Sequence, residues 1–510
     1  MTLNRHVFHR DPTTFTIPND GVAEVFDPQT DAQWAVLRYE LESFVCRGEY
    51  AAGMERILST FLRHLDQPKQ PAVWVSGFYG SGKSHFVRVL QYLWQDVAFP
   101  DGAQARGLVH LPPNVSDPLR ELATAGRRAG GLWSAAGTLS AGDGNIRLAL
   151  LATLFRGAGL PGQYAPARFV LWLHRTGVYD DVRAHLQAAG ASLGGELNDM
   201  YVSPILARAV LEACPDLATT PKEVLASLRA QFPQRDQISE DEMLQAMDEV
   251  LALRTSRPGA YPLTLLVLDE LQQSIGQDSD RTLQVQDAVE ACSSRFGSHL
   301  LVVGTGQSAL EADTYLSKLL GRFTVRVNLS DKDVQQVVRE VVLRKKPEQA
   351  KALRSTLEAV SGEINRHLQG TKIAHTSADD DALVPDYPLL PTRLRFWERV
   401  LRAIDRPGTA AQLRTQLRTV HEATRAVVSF TVTTADDNLA RIVEPGAPPS
   451  SARLAALGVL AEHGIYTGVT MMPILPFIED TEENVTAIVE AAHAAGAKYI
   501  LPGFGMTLRD

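Results

Sequence analysis

The octapeptide Gly77-Phe78-Tyr79-Gly80-Ser81-Gly82-Lys83-Ser84 constrains this chain more than any other stretch, because it fits GxxxxGK[ST] at every fixed position. Ahead of it, Ala72 to Ser76 reads as a short buried strand. Behind it, Phe86, Val89, Leu90 and Leu93 recur at helical spacing from Lys83 to Trp94. Strand, glycine-rich turn and helix in that order are the context a phosphate loop requires, and they argue against the competing reading of a chance glycine-rich turn. Glycine at positions 77, 80 and 82, with Ser81 between, lets successive amide N–H groups point at one phosphate where a side chain would obstruct. The helix adds its positive end, Lys83 a point charge for the β and γ phosphates, and Ser84 a hydroxyl for magnesium. ATP and Mg2+ are the expected ligands.

A second element, Leu265-Leu266-Val267-Leu268-Asp269-Glu270, is an apolar strand ending in two carboxylates. Alone it could be a capped strand end. Downstream of a phosphate loop it predicts Asp269 as a magnesium ligand, direct or through water, and Glu270 as the base that activates the attacking water, so hydrolysis is expected as well as binding. The strand His299 to Val303 runs on to Thr305 and Gln307. ATPases of the AAA+ kind place a polar sensor near the γ-phosphate there; a solvated strand end is the alternative. Arg322, just before the strand Phe323 to Leu329, resembles an arginine finger acting in a neighbouring subunit, which would require a homo-oligomer; a plain surface arginine is the alternative.

Continuous apolar strands separated by helices predict an α/β fold: an AAA+-like P-loop NTPase with a mainly parallel sheet and helical insertions. At 510 residues the chain should divide into several domains. The expected layout is an N-terminal helical region over 1–66, a P-loop ATPase core over 67–330 with a helical insertion over about 147–248, and a helical region over 331–427 broken by a polar loop around Ser377 to Asp381. Over 428–510, short strands and helices alternate with a barrel-like rhythm, giving a partial β/α-barrel fragment. The net charge of −9 argues against a chain coated in nucleic-acid-binding surface and leaves contact with DNA by a local basic strip open. Cys46, Cys214 and Cys292 lack metal-binding spacing and read as reduced buried thiols. Met1 to Asp20 is polar, and no run approaches the ~20 apolar residues of a membrane span. A cytoplasmic protein is expected.

Residues 1–427 resemble the P-loop ATPase family of BREX phage-defence systems, the BrxC/PglY type. The resemblance rests on Arg10-Asp11-Pro12-Thr13-Thr14-Phe15-Thr16-Ile17-Pro18-Asn19-Asp20-Gly21-Val22-Ala23, on Gly77 to Phe86, and on Leu268-Asp269-Glu270. It implies an ATPase subunit acting beside other BREX components, including a DNA methyltransferase. Members of that family are typically far longer, which implies a missing C-terminal part. Residues 428–510 resemble instead the C-terminal side of a radical SAM protein of the spore photoproduct lyase-like type, through Thr433-Thr434-Ala435-Asp436-Asp437, Glu444-Pro445-Gly446-Ala447-Pro448, Arg453, Met472 to Phe477, Asp480 to Asn484 and Leu501 to Arg509. Radical SAM chemistry needs a CxxxCxxC-type triad, and no cysteine follows Cys292, so neither an iron–sulfur cluster nor radical SAM activity is expected. The chain therefore reads as a fusion of two fragments near residue 428. Besides an ATPase, the sequence permits a nucleotide-gated assembly scaffold with little turnover.

Overall fold

The computed structural model describes residues 4–11, 14–15, 28–77, 81–139, 145–276, 278–307, 316–329, 334–370, 374–395, 428–462, 465–472, 474–475 and 478–502. The chain divides into two compact units, one of Gly21–Gln336 and one of Met1–Asp20 with Val337–Asp510.

The first unit begins with α1 (Asp31–Glu42) and α2 (Gly48–Arg63), followed by β1 (Val73–Gly77), α3 (Lys83–Gln95), α4 (Pro113–Arg128) and β2 (Leu132–Thr138). Then come α5 (Ile146–Gly157), five further helices between residues 164 and 231, and α6 (Glu240–Arg254). The unit closes with β3 (Leu263–Asp269), α7 (Leu271–Ile275), α8 (Ser279–Phe296), β4 (Leu300–Gly306) and β5 (Val325–Leu329). Capping boxes fix two of the helix starts, Thr30 with Gln33 on α1 and Ser239 with Glu242 on α6.

All five strands are parallel, in the order β2-β3-β4-β1-β5. Every residue of β1, β3 and β4 is buried, as expected for strands covered on both faces. On β5 burial alternates, Val325, Val327 and Leu329 in and Arg326 and Asn328 out, which suits an outer strand. Strand residues point alternately to the two faces. Trp74, Trp133, Leu266, Leu268 and Val302 join one apolar cluster with residues of α5, α6 and α8. On the opposite face α2 lies against β5, with Gly53 so close to Val327 that an added Cβ would fall 2.6 Å from it. The helical stretch expected as an insertion thus begins and ends in helices that share the sheet's own core.

The order has a consequence for ligands. β1 sends the chain toward β2 on one side, while the adjacent β4 sends it across β1 to β5 on the other. Such a reversal opens a crevice at the carboxyl ends of the two strands, where α/β sheets bind ligands.

In the second unit, residues 7–9 pair with residues 344–346: Phe8 and Lys345 form an antiparallel bridge, the His9 amide donates to the Arg344 carbonyl at 2.7 Å, and the Lys346 amide donates to the Val7 carbonyl at 2.9 Å. Phe8 is buried. After α9 (Pro347–Leu368) comes α10 (Ala378–Asp386). The polar loop expected around Ser377 to Asp381 is instead the start of α10, where Asp379, Asp380 and Asp381 meet the positive end of the helix. Lys345 Nζ donates to the carbonyls of Pro385 and Tyr387 at 2.6 and 2.7 Å, and Arg339 holds Asp386 with two N–H groups.

The last segment contains β6 (Val428–Thr431), α11 (Asp437–Val443), α12 (Ser450–Glu462), β7 (Thr467–Met471), α13 (Glu482–Ala494) and β8 (Tyr499–Pro502). Its strands form a separate three-stranded parallel sheet, with Val432, Leu457, Val469, Met471 and Ile488 as a core of their own. The described residues form this open sheet; the fusion point expected near residue 428 adjoins residues 396–427, which lie outside them. Among the described residues, no helix is long and apolar enough to cross a membrane.

Candidate functional site

Two glycines, Gly77 at the end of β1 and Gly82 before α3, are fixed by their surroundings. A Cβ on Gly77 would fall 2.5 Å from Ser81 Oγ and 2.6 Å from the Leu329 carbonyl, so only glycine fits at this end of β1. Phe78, Tyr79 and Gly80 lie outside the described residues. The chain resumes at Ser81 and reaches α3 through Gly82, whose φ of 79° is open chiefly to glycine. The Phe86 amide makes the first turn's bond to the Gly82 carbonyl at 2.8 Å, and the amides ahead of it belong to the helix's N-terminal end. Lys83 Nζ donates to the Gly77 carbonyl at 2.8 Å, which folds the lysine back to the end of β1. Ser84 follows it in the same turn, half-buried. Ser81 Oγ is buried with no hydrogen-bond partner among the described residues.

Across the crevice, β3 ends in Asp269, and Glu270 follows it. The register of β3 on β4, with Leu268 opposite Gly304, brings Asp269 beside Thr305, and Thr305 is itself opposite Val75 of β1. Thr305 Oγ1 donates to Asp269 Oδ1 at 2.6 Å and accepts the Glu270 amide at 2.9 Å. Asp269 and Thr305 are buried. Glu270 adopts a left-handed backbone, φ 56° and ψ 26°, which non-glycine residues rarely do. It turns the chain out of the strand and into α7.

These charges feel one another. Burial pulls the Lys83 ammonium below its ordinary pKa, against the opposing pull of Asp269 and Glu270. Burial pushes the Glu270 carboxyl up, Asp269 adds to the rise, and Lys83 works against it. A cation, two carboxylates and a glycine-shaped turn thus meet where β1, β3 and β4 end.

Among the residues singled out from sequence, Gly77, Ser81, Gly82, Lys83, Ser84, Asp269, Glu270 and Thr305 belong to this end of the sheet, and Gly80 lies outside the described residues. Gln307 is exposed just past β4. Arg322 is elsewhere: its carbonyl accepts the Ala72 amide at the start of β1, at the opposite end of the sheet, and its guanidinium pairs with Glu290 of α8.

Sequence reasoning missed the supports beneath the loop. The Tyr50 hydroxyl, from α2, donates to the Ser81 carbonyl at 2.7 Å. Arg88 of α3 is fully buried with Nε 2.6 Å from Glu40 of α1, and His85 Nε2 meets the Glu40 carbonyl at 2.8 Å. The one available signal was a pair of charges, Glu40 and Arg88, at positions the helical periodicity turns inward. A scan of the chain against models of known protein families finds no match.

Proposed function

We propose that this chain binds magnesium–ATP at the crevice between β1 and β4 and hydrolyses it. One juxtaposition carries the reading: Lys83, bonded to the Gly77 carbonyl where β1 ends, lies at the same end of the sheet as Asp269 and Glu270, which Thr305 of the intervening β4 holds opposite β1. The residues present fit a bound polyphosphate. The turn excludes side chains at Gly77 and Gly82, the amides ahead of Phe86 belong to the N-terminal end of α3, and Ser81 Oγ is buried without a partner among the described residues.

On this reading the loop amides and Lys83 hold the phosphates, and Ser84 and Asp269 hold the metal. Magnesium, when bound, neutralises charge on the phosphates. Thr305 keeps Asp269 oriented through its 2.6 Å bond. The raised pKa of Glu270 suits a group that must accept a proton from water near neutral pH.

Calorimetric titration with magnesium–ATP, paired with a phosphate-release assay, tests this on the purified chain. Lys83→Ala should abolish saturable binding. Glu270→Gln should bind normally and lose at least about 100-fold in turnover. Full turnover in Glu270→Gln would overturn the assignment of the base, and binding by the parent without turnover would favour a nucleotide-gated scaffold.

The resemblance to the BREX ATPases supports placing this activity in a cytoplasmic phage-defence complex that includes a DNA methyltransferase, testable by phage challenge of cells carrying Lys83→Ala. A finger role for Arg322 in a second copy would require it to leave Glu290; Arg322→Ala would then lower turnover in proportion to oligomer formation. For residues 428–510 we read the open parallel sheet as a radical SAM-like barrel fragment joined to the ATPase part.

A further inference from the structure

We propose that Tyr50 is a positioning residue for the nucleotide: through its hydroxyl it sets the direction of the Gly82 amide. The inference rests on the reading of this turn as a phosphate loop. A peptide unit is planar and trans, so the carbonyl of one residue and the amide N–H of the next point in opposite directions. Tyr50 Oη holds the Ser81 carbonyl at 2.7 Å on the α2 side, and the Gly82 N–H of that peptide is thereby turned the other way, away from α2. The same hydroxyl would lie 3.1 Å from a Cβ on Gly82, so the tyrosine closes against the turn itself.

The ring is fixed well enough for this work. Tyr50 is 6% exposed, meets Phe44 edge-to-face at 5.8 Å, and lies 6.3 Å from Phe86 on the helix that the turn initiates. Its hydroxyl is therefore referenced to α3, and the amide it orients is referenced to Lys83 next in sequence. Tyr50 acts through the Ser81–Gly82 peptide.

The test compares the full chain with Tyr50→Phe, which keeps the ring and removes the hydroxyl, and Tyr50→Leu, which removes both. Readouts are the magnesium–ATP Kd, KM and kcat, and the melting temperature without nucleotide. We expect Tyr50→Phe to raise Kd and KM by roughly 5- to 10-fold, the effect of one hydrogen bond, with kcat within about twofold and melting within about 2 °C of the parent. Unchanged affinity in Tyr50→Phe, while Lys83→Ala loses binding, would overturn the inference and leave the phosphate-loop reading intact. So would a large loss in Tyr50→Leu with none in Tyr50→Phe, which assigns the effect to the ring, or a fall of melting and kcat together, which marks a structural role. Failure of the parent to bind magnesium–ATP removes the phosphate-loop reading and this inference with it.

Discussion

Thr305 and Asp269 share a 2.6 Å hydrogen bond, hydroxyl to carboxylate, between two side chains withdrawn from solvent. The same hydroxyl oxygen accepts the Glu270 amide, so one threonine satisfies both residues of the acidic pair. Thr305→Val keeps the shape and strands a buried carboxylate oxygen and an amide. It should lower stability by about 1 to 3 kcal/mol in urea denaturation and reduce ATP turnover while magnesium–ATP binding persists, with Thr305→Ser restoring both.

The carboxyl of Glu270 should show itself in pH profiles. With its pKa raised by burial and by Asp269, the acid limb of kcat/KM should lie above the ordinary glutamate value of 4.5. The sign for stability follows from proton linkage: the folded state holds this proton more tightly than the unfolded chain, so Glu270 increasingly destabilises the fold as pH rises from 4.5 through its folded pKa. Glu270→Gln should therefore melt above the parent at neutral pH, with the difference vanishing as pH falls below 4.5. An acid limb at or below that value would contradict the burial.

Arg88 and Glu40 form an ion pair with side-chain exposures of 0% and 6%. Removing one partner leaves the other charged and buried, so Arg88→Met alone should cost about 3 to 5 kcal/mol, whereas the double variant Arg88→Met/Glu40→Met should recover most of it. Chemical denaturation of these two variants and of Glu40→Met alone completes the cycle that measures their coupling.

Lys345 sits beneath the Phe8 ring, with Asp386 and Arg339 as its charged neighbours. Burial brings its pKa from 10.5 down to about 7, against the pull of Asp386 and with a smaller push from Arg339. The folded protein thus gives up this proton before the unfolded chain does. Its contribution is unfavourable below about pH 7 and is relieved as pH rises toward 10.5. Thermal melts across that window should rise with pH, and Lys345→Met should flatten the slope; an unaltered slope would show that another group controls it.

What the sequence disclosed is what depends on local pattern. The turn glycines, Lys83 and the strand running into Asp269 and Glu270 announce themselves by spacing, and β1, β3, β4 and β5 lie within a few residues of where apolar runs suggested. What stayed hidden depends on partners distant in sequence. Nothing around Tyr50 says that its hydroxyl lies against Ser81, 31 residues on. Thr305 was visible as a polar strand end, but its bridge between Asp269 and Glu270 exists only because β4 lies between β1 and β3. Arg322 had the right neighbours in sequence, yet its position at the start of β1 and its pairing with Glu290 follow from sheet order and from α8. The start of α10 was missed because three consecutive aspartates look like loop until the helix terminus that stabilises them is seen.

The pairing of residues 7–9 with residues 344–346 also sets an order of events during synthesis. The first partner leaves the ribosome long before the second: at about 5 to 20 residues per second, the intervening chain takes on the order of tens of seconds to appear. Throughout that interval Phe8, buried in the finished protein, has no native seat. The α/β unit, whose strands are all complete by Leu329, can close before Lys345 emerges, so the unit that opens the chain is the later to finish.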